Sequence, residues 1–94
     1  MKFRVAAAAK QDFKDIADYI ARDDPARAQS FIVEIYQKIH VIAERPFSFQ
    51  ARDEWHQGLR SALHQNYHIV FRVEDDVIEI ARVLHGARDI ENIF

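Results

Sequence analysis

Apolar and polar side chains change period several times along this chain, and each change marks an element. Phe3 and Val5 alternate with Lys2 and Arg4, the period-two pattern of a short half-buried strand. From about Ala8 the period becomes helical: Ala9, Phe13, Ile16, Ala17 and Ile20 share one side, with Lys10, Asp12, Lys14, Asp15 and Asp18 on the other. This helix has to end near Asp23, because Pro25 lacks an N–H and pushes the preceding residue out of helical geometry. A second helix begins at once, with Asp24 as its cap and Pro25 at the first position, where the missing donor costs nothing. Ala28, Ile32, Ile35, Ile39 and Ile42 trace its apolar stripe, joined by Phe31 and Tyr36, until Pro46 ends the pattern. So short a connection folds the two helices into a hairpin.

Phe47 to Gln57 has no clean period and reads as a loop pinned by Phe47, Phe49 and Trp55. These aromatics could form a binding hot spot, but closing the core is the role expected of them in a small domain. Three strands follow. Leu59, Ser61 and Leu63 alternate with Arg60, Ala62 and His64; Tyr67, Ile69, Phe71 and Val73 alternate with His68, Val70 and Arg72. Val77 to Leu84 is apolar on both parities apart from Glu79 and Arg82, as a strand buried in mid-sheet would be. Turns fall at Gln65-Asn66 and at Glu74 to Asp76, His85-Gly86 breaks the last strand, and Ala87 to Phe94 is a tail or one short helical turn. The predicted fold is α+β over a single domain, residues 1–94: an N-terminal strand, a two-helix hairpin, then a three-stranded antiparallel meander, with the helices on one sheet face. Arg60, His64, His68 and Arg72 would then share the opposite face, with the cationic side chains of 58–89 converging beside a turn at Gly86.

A chain of 94 residues supports one core only. It has no cysteine, so disulfides and thiolate metal sites are excluded and a reducing cytoplasm is the expected location. No run approaches the roughly 20 apolar residues of a membrane span, and Met1 to Val5 lacks the basic-then-apolar pattern of a signal peptide. A net charge of −2 offers no general attraction to phosphate, which weighs against a nucleic-acid enzyme. Distribution qualifies this: no lysine follows Lys38, and the second half relies on Arg52, Arg60, Arg72, Arg82 and Arg88. Arginine's planar fork suits carboxylate or phosphate and does not shuttle protons near neutral pH, so the set favours recognition over acid-base work. Arg72 is expected in surface ion pairs. Arg82 interrupts the most apolar strand, where an unpaired charge is costly, so a specific partner or site is expected for it. His64, His68 and His85 cluster without cysteines or carboxylates at ligand spacing, so no metal or other cofactor is expected. Gly86 reads as a turn glycine, through a positive φ or a close approach.

The segments Gly58-Leu59-Arg60, Tyr67-His68-Ile69-Val70-Phe71-Arg72-Val73 and Ile80 to Asp89, behind a hairpin that ends on a proline, carry a resemblance. They resemble the ParE branch of the RelE/ParE superfamily of type II toxin-antitoxin toxins. The likeness covers nearly the whole chain and is most specific over Arg82-Val83-Leu84-His85-Gly86-Ala87-Arg88-Asp89. It implies a toxin neutralised by a cognate, ParD-like antitoxin whose segment drapes over hairpin and sheet, with Phe31 and Tyr36 as antitoxin-facing flanks of the second helix. ParE-like toxins are associated with DNA gyrase, which makes Arg60, Tyr67, Arg82, His85 and Arg88 the implied target-binding residues. RelE-like relatives cleave mRNA on the ribosome without metal, and Arg60, Arg82, His85 and Arg88 would be the catalytic set. Cleavage needs groups that activate the 2'-hydroxyl, stabilise the phosphorane and protonate the leaving oxygen. Here the lysines that RelE-like enzymes use are absent and no tyrosine follows Tyr67, which favours the binding branch. A third implied possibility is a non-toxic relative that keeps only antitoxin binding.

Overall fold

β1 (Lys2–Val5) runs straight into α1 (Ala7–Ala21), and α2 (Pro25–Glu44) packs against it. A 3-10 turn at Pro46–Ser48 leads to β2 (Gln50–Ala51), β3 (Arg60–His64), β4 (Tyr67–Glu74) and β5 (Val77–His85), with a last 3-10 turn at Ile90–Asn92. This computed structural model describes residues Met1–Phe94. The strands form one sheet in the order β1-β5-β4-β3-β2, antiparallel except that β1 lies parallel to β5. The α+β order matches the sequence reading, with β2 added inside the stretch read as loop. Two residues paired to Ser61 and Arg60 are too few to carry a period. No helix is long and apolar enough to cross a membrane.

Local chemistry explains the helix starts. Asp24 accepts from the Arg27 amide at 3.0 Å with Pro25 beside it, so α2 begins at the predicted cap. α1 has no side-chain cap; the Ala6 amide instead donates to the Ile80 carbonyl at 2.9 Å, and the sheet fixes where the helix begins. Phe31, Ile35, Ile39 and Ile42 bury the inner stripe of α2 against Ile69, Phe71, Ile78, Ile80 and Val83. Each such side chain contributes about 1.5–3 kcal/mol on burial. Ile32, assigned to the stripe by sequence, is half-buried at its flank, and Phe31 sits nearer the centre.

β4 and β5 slip register at Ala81: Phe71 faces Ile80, and Val70 faces Arg82. This bulge lets Ile78, Ile80 and Val83 all face the helices, which strict alternation forbids. On the other face Leu59, Val70 and Leu84 form a smaller core, closed by Trp55, Ile90 and Ile93. Trp55 and Phe49 pack against the cores as expected, whereas Phe47 is 64% exposed. The four polar residues expected on the opposite face are split. By the pleat, Arg60 and His64 lie on the helix side with Ala62, and only His68 and Arg72 lie opposite. The pattern over 59–64 misleads because small Ala62 fills the core position across from Ile69, while Leu63 is 56% exposed.

Candidate functional site

β1 pairs with β5 only from Val77 to Ile80 and leaves the far half of β5 facing α1. Between them lies a cleft of about 470 Å³. Tyr67, Val83, His85 and Arg88 line it from the sheet side, and Asp12, Asp15, Ile16 and Tyr19 from one face of α1. Sheet register sets the first wall. Tyr67 stands directly across from His85 with their rings edge to face at 5.2 Å, and Phe31 meets Tyr67 edge-on at 5.2 Å. Burial, with a smaller effect of Tyr19, raises the Tyr67 pKa, so its phenol is a neutral hydrogen-bond donor at neutral pH.

The turn after β5 is organised around His85. Gly86 donates its amide to the Asn66 carbonyl at 2.7 Å, Ala87 to Nδ1 of His85 at 3.0 Å, and Arg88 to the His85 carbonyl at 3.0 Å. Gly86 serves close approach and not positive φ, since an added Cβ would lie 3.3 Å from the Asn66 oxygen. Because Nδ1 accepts a backbone N–H, the neutral ring carries its proton on Nε2 and keeps that donor free.

The partner expected of Arg82 lies inside the protein. Its Nε and a terminal nitrogen donate to Asp12 at 2.8 and 2.9 Å, and the Val83 amide donates to the same carboxylate at 2.9 Å. Asp12, which the sequence pattern puts on the polar side of α1, is 7% exposed. Three donors satisfy a carboxylate that would otherwise be costly to bury, and they close the edge of β5 that β1 leaves open. The bond to Asp12 raises the Arg82 pKa, so the guanidinium keeps its charge.

The expected convergence beside Gly86 is therefore partial. Tyr67, His85 and Arg88 meet at the cleft, and Arg82 is engaged behind them. Arg60 stands across from Phe71, roughly 13 Å along the strand from Tyr67 at the usual rise per residue. It donates to the Phe49 carbonyl at 2.8 Å and stacks over Phe47 at 5.2 Å. Arg72 is in the surface pairing expected of it, donating to Glu79 at 3.1 and 2.9 Å. Phe31 is no antitoxin-facing flank: at 2% exposure it belongs to the core, because its place on α2 points it under the hairpin at Tyr67. Tyr36 remains 37% exposed. His64 donates from Nε2 to the Glu34 carboxylate at 2.8 Å on the helix side, whereas His68 packs against Trp55 on the other. No group of three or more His, Asp or Glu side chains is placed to hold a metal ion. Sequence reasoning missed the α1 wall. Asp12, Asp15 and Tyr19 share a helical face, but nothing in their spacing says which strand that face meets.

Comparison with known proteins bears on this geometry. No curated protein matches the chain. Among solved structures, a chain of the "Chromosomal ParDE TA system from P. aeruginosa" superposes with a TM-score of 0.78 at 22% identity, covering 90% of this chain and 95% of that one. At that identity the likeness speaks for the fold. The family model described as "ParE toxin of type II toxin-antitoxin system, parDE" matches residues 3–90, which include both helices, all of the sheet except Lys2, and the turn that carries His85 and Arg88. The chain therefore belongs to the ParE toxin family of type II toxin-antitoxin systems.

Proposed function

We propose that this protein is a cytoplasmic toxin that inhibits DNA gyrase by binding it, without catalysing a reaction, and that a ParD-like antitoxin neutralises it. The observation that carries the binding reading is the state of Arg82. A guanidinium held by two bonds to buried Asp12 is withdrawn from a transition state, and Arg60 is a strand's length away. What remains at the cleft is Tyr67, His85 and Arg88, a recognition set with one cation. RNA cleavage asks for more: a base, an acid and enough positive charge for a phosphorane. The gyrase target follows from the family likeness. Antitoxin contact is supported by the apolar exposure of the hairpin, where Val33 is 56% exposed and Ala17, Ala21 and Ile32 line a groove between the helices.

Expression of the chain alone should arrest growth and induce the DNA-damage response, and the purified protein should inhibit gyrase supercoiling. Co-expression of the antitoxin should relieve both. Undiminished supercoiling at saturating protein would refute the gyrase reading. Codon-phased mRNA cuts that vanish in His85→Ala would replace it with ribosome-dependent cleavage.

A further inference from the structure

The cleft between α1 and the end of β5 holds more free donors than the chain uses. His85 keeps Nε2–H free because Nδ1 is occupied by the Ala87 amide. Tyr67 keeps its hydroxyl proton. Arg88 is exposed and pairs with no carboxylate of the chain, although it lines the cleft. On the α1 wall, Asp12 contributes no free charge, since Arg82 and the Val83 amide already occupy it. Asp15 accepts from the Gln11 side-chain amide at 2.8 Å and stands at the rim.

We infer that this cleft is an acceptor site for one carboxylate side chain, aspartate or glutamate, presented by the protein target. The inference rests on the binding reading above and specifies the chemistry the target offers. Three donors of different kinds, one of them a planar cation, match the lone pairs of a single carboxylate. A nucleic-acid strand fits poorly. It brings a negative charge about every 3.4 Å and needs a row of cations to meet them, whereas the cleft has one unpaired arginine, which meets a single charge. The aromatic rings of Tyr67 and Tyr19 and the apolar floor of Ile16 and Val83 suit the methylene stem of such a side chain.

The test is an NMR titration of the full chain with N-acetyl-glutamate amide, N-acetyl-glutamine amide, inorganic phosphate and a short single-stranded oligonucleotide at one ionic strength. The glutamate probe should give saturable shifts at Tyr67, His85 and Arg88, and the glutamine probe none. Arg88→Gln should weaken the glutamate probe about tenfold, the factor for one charge-assisted hydrogen bond, while Arg60→Gln leaves it unchanged. Equal binding of the two amides, no saturable shift, or tighter binding of phosphate or oligonucleotide would each overturn the assignment. Because no gyrase enters the titration, its failure is separable from failure of the gyrase reading.

Discussion

Removing the carboxylate of Asp12 takes three hydrogen bonds from the junction of α1 with β5 and strands two donors, the Arg82 guanidinium and the Val83 amide. Asp12→Ala should therefore destabilise the protein by about 2–3 kcal/mol, below the upper range for breaking a buried pair because the Arg82 side chain keeps 25% exposure. The double variant Asp12→Leu/Arg82→Met should recover the part of that loss due to the stranded guanidinium, while the Val83 amide, still without its acceptor, keeps the variant below the wild type. Urea unfolding of the three proteins checks both statements; equal midpoints for the wild type and Asp12→Ala would remove the structural role. Arg82 also shows how far one residue can be read from sequence. Its position in an apolar strand announced that it must have a partner, and that expectation is met. Which carboxylate answers lies 70 positions away and is not written in the local pattern.

His68 bears on how β4 is held, because it faces the smaller core on the sheet's second side. Its Nδ1 has no hydrogen-bond partner, and burial, with a smaller effect of Arg52, lowers its pKa below the ordinary 6.5. The folded state thus holds the ring neutral, while the unfolded chain takes up a proton first as pH falls. Stability linked to His68 is fully present above about 6.5 and is lost as pH falls through the depressed folded value. Thermal midpoints across pH 5 to 8 should fall towards acid, and His68→Phe should flatten that fall; an unchanged profile in the variant would contradict the account. Elements themselves were largely legible. The α2 cap, both turns of the meander and the existence of β5 follow from turn chemistry and apolar pattern, although β5 buries one face fully and the other mainly at Leu84. Missed were β2, too short to have a period, and the bulge at Ala81, which swaps faces in mid-strand.

At the scale of the whole molecule, the proposed gyrase contact belongs to one end of the sheet and not to the other. Arg88 opens on the cleft and Arg60 lies at the sheet's other end beside Phe47, so their alanine variants should separate. Arg88→Ala should weaken gyrase inhibition about tenfold, and Arg60→Ala should change it by no more than about twofold, as expected when binding energy concentrates in a few residues. Supercoiling assays at matched thermal stability test this; equal losses would mean that both ends of the sheet are used. Of the five residues implied for target binding, the fold gathers Tyr67, His85 and Arg88, engages Arg82 internally and sets Arg60 apart.

The sequence by itself determined the elements and their order, because the period of apolar residues records burial within each helix or strand. It also carried the ParE likeness, concentrated in Arg82 to Asp89. Tertiary structure alone decided that β1 stops halfway along β5, that α1 fills the gap, and that Asp12 closes it. Those outcomes depend on pairings between residues some 70 positions apart, and a periodic pattern says which side of an element is buried but never against what.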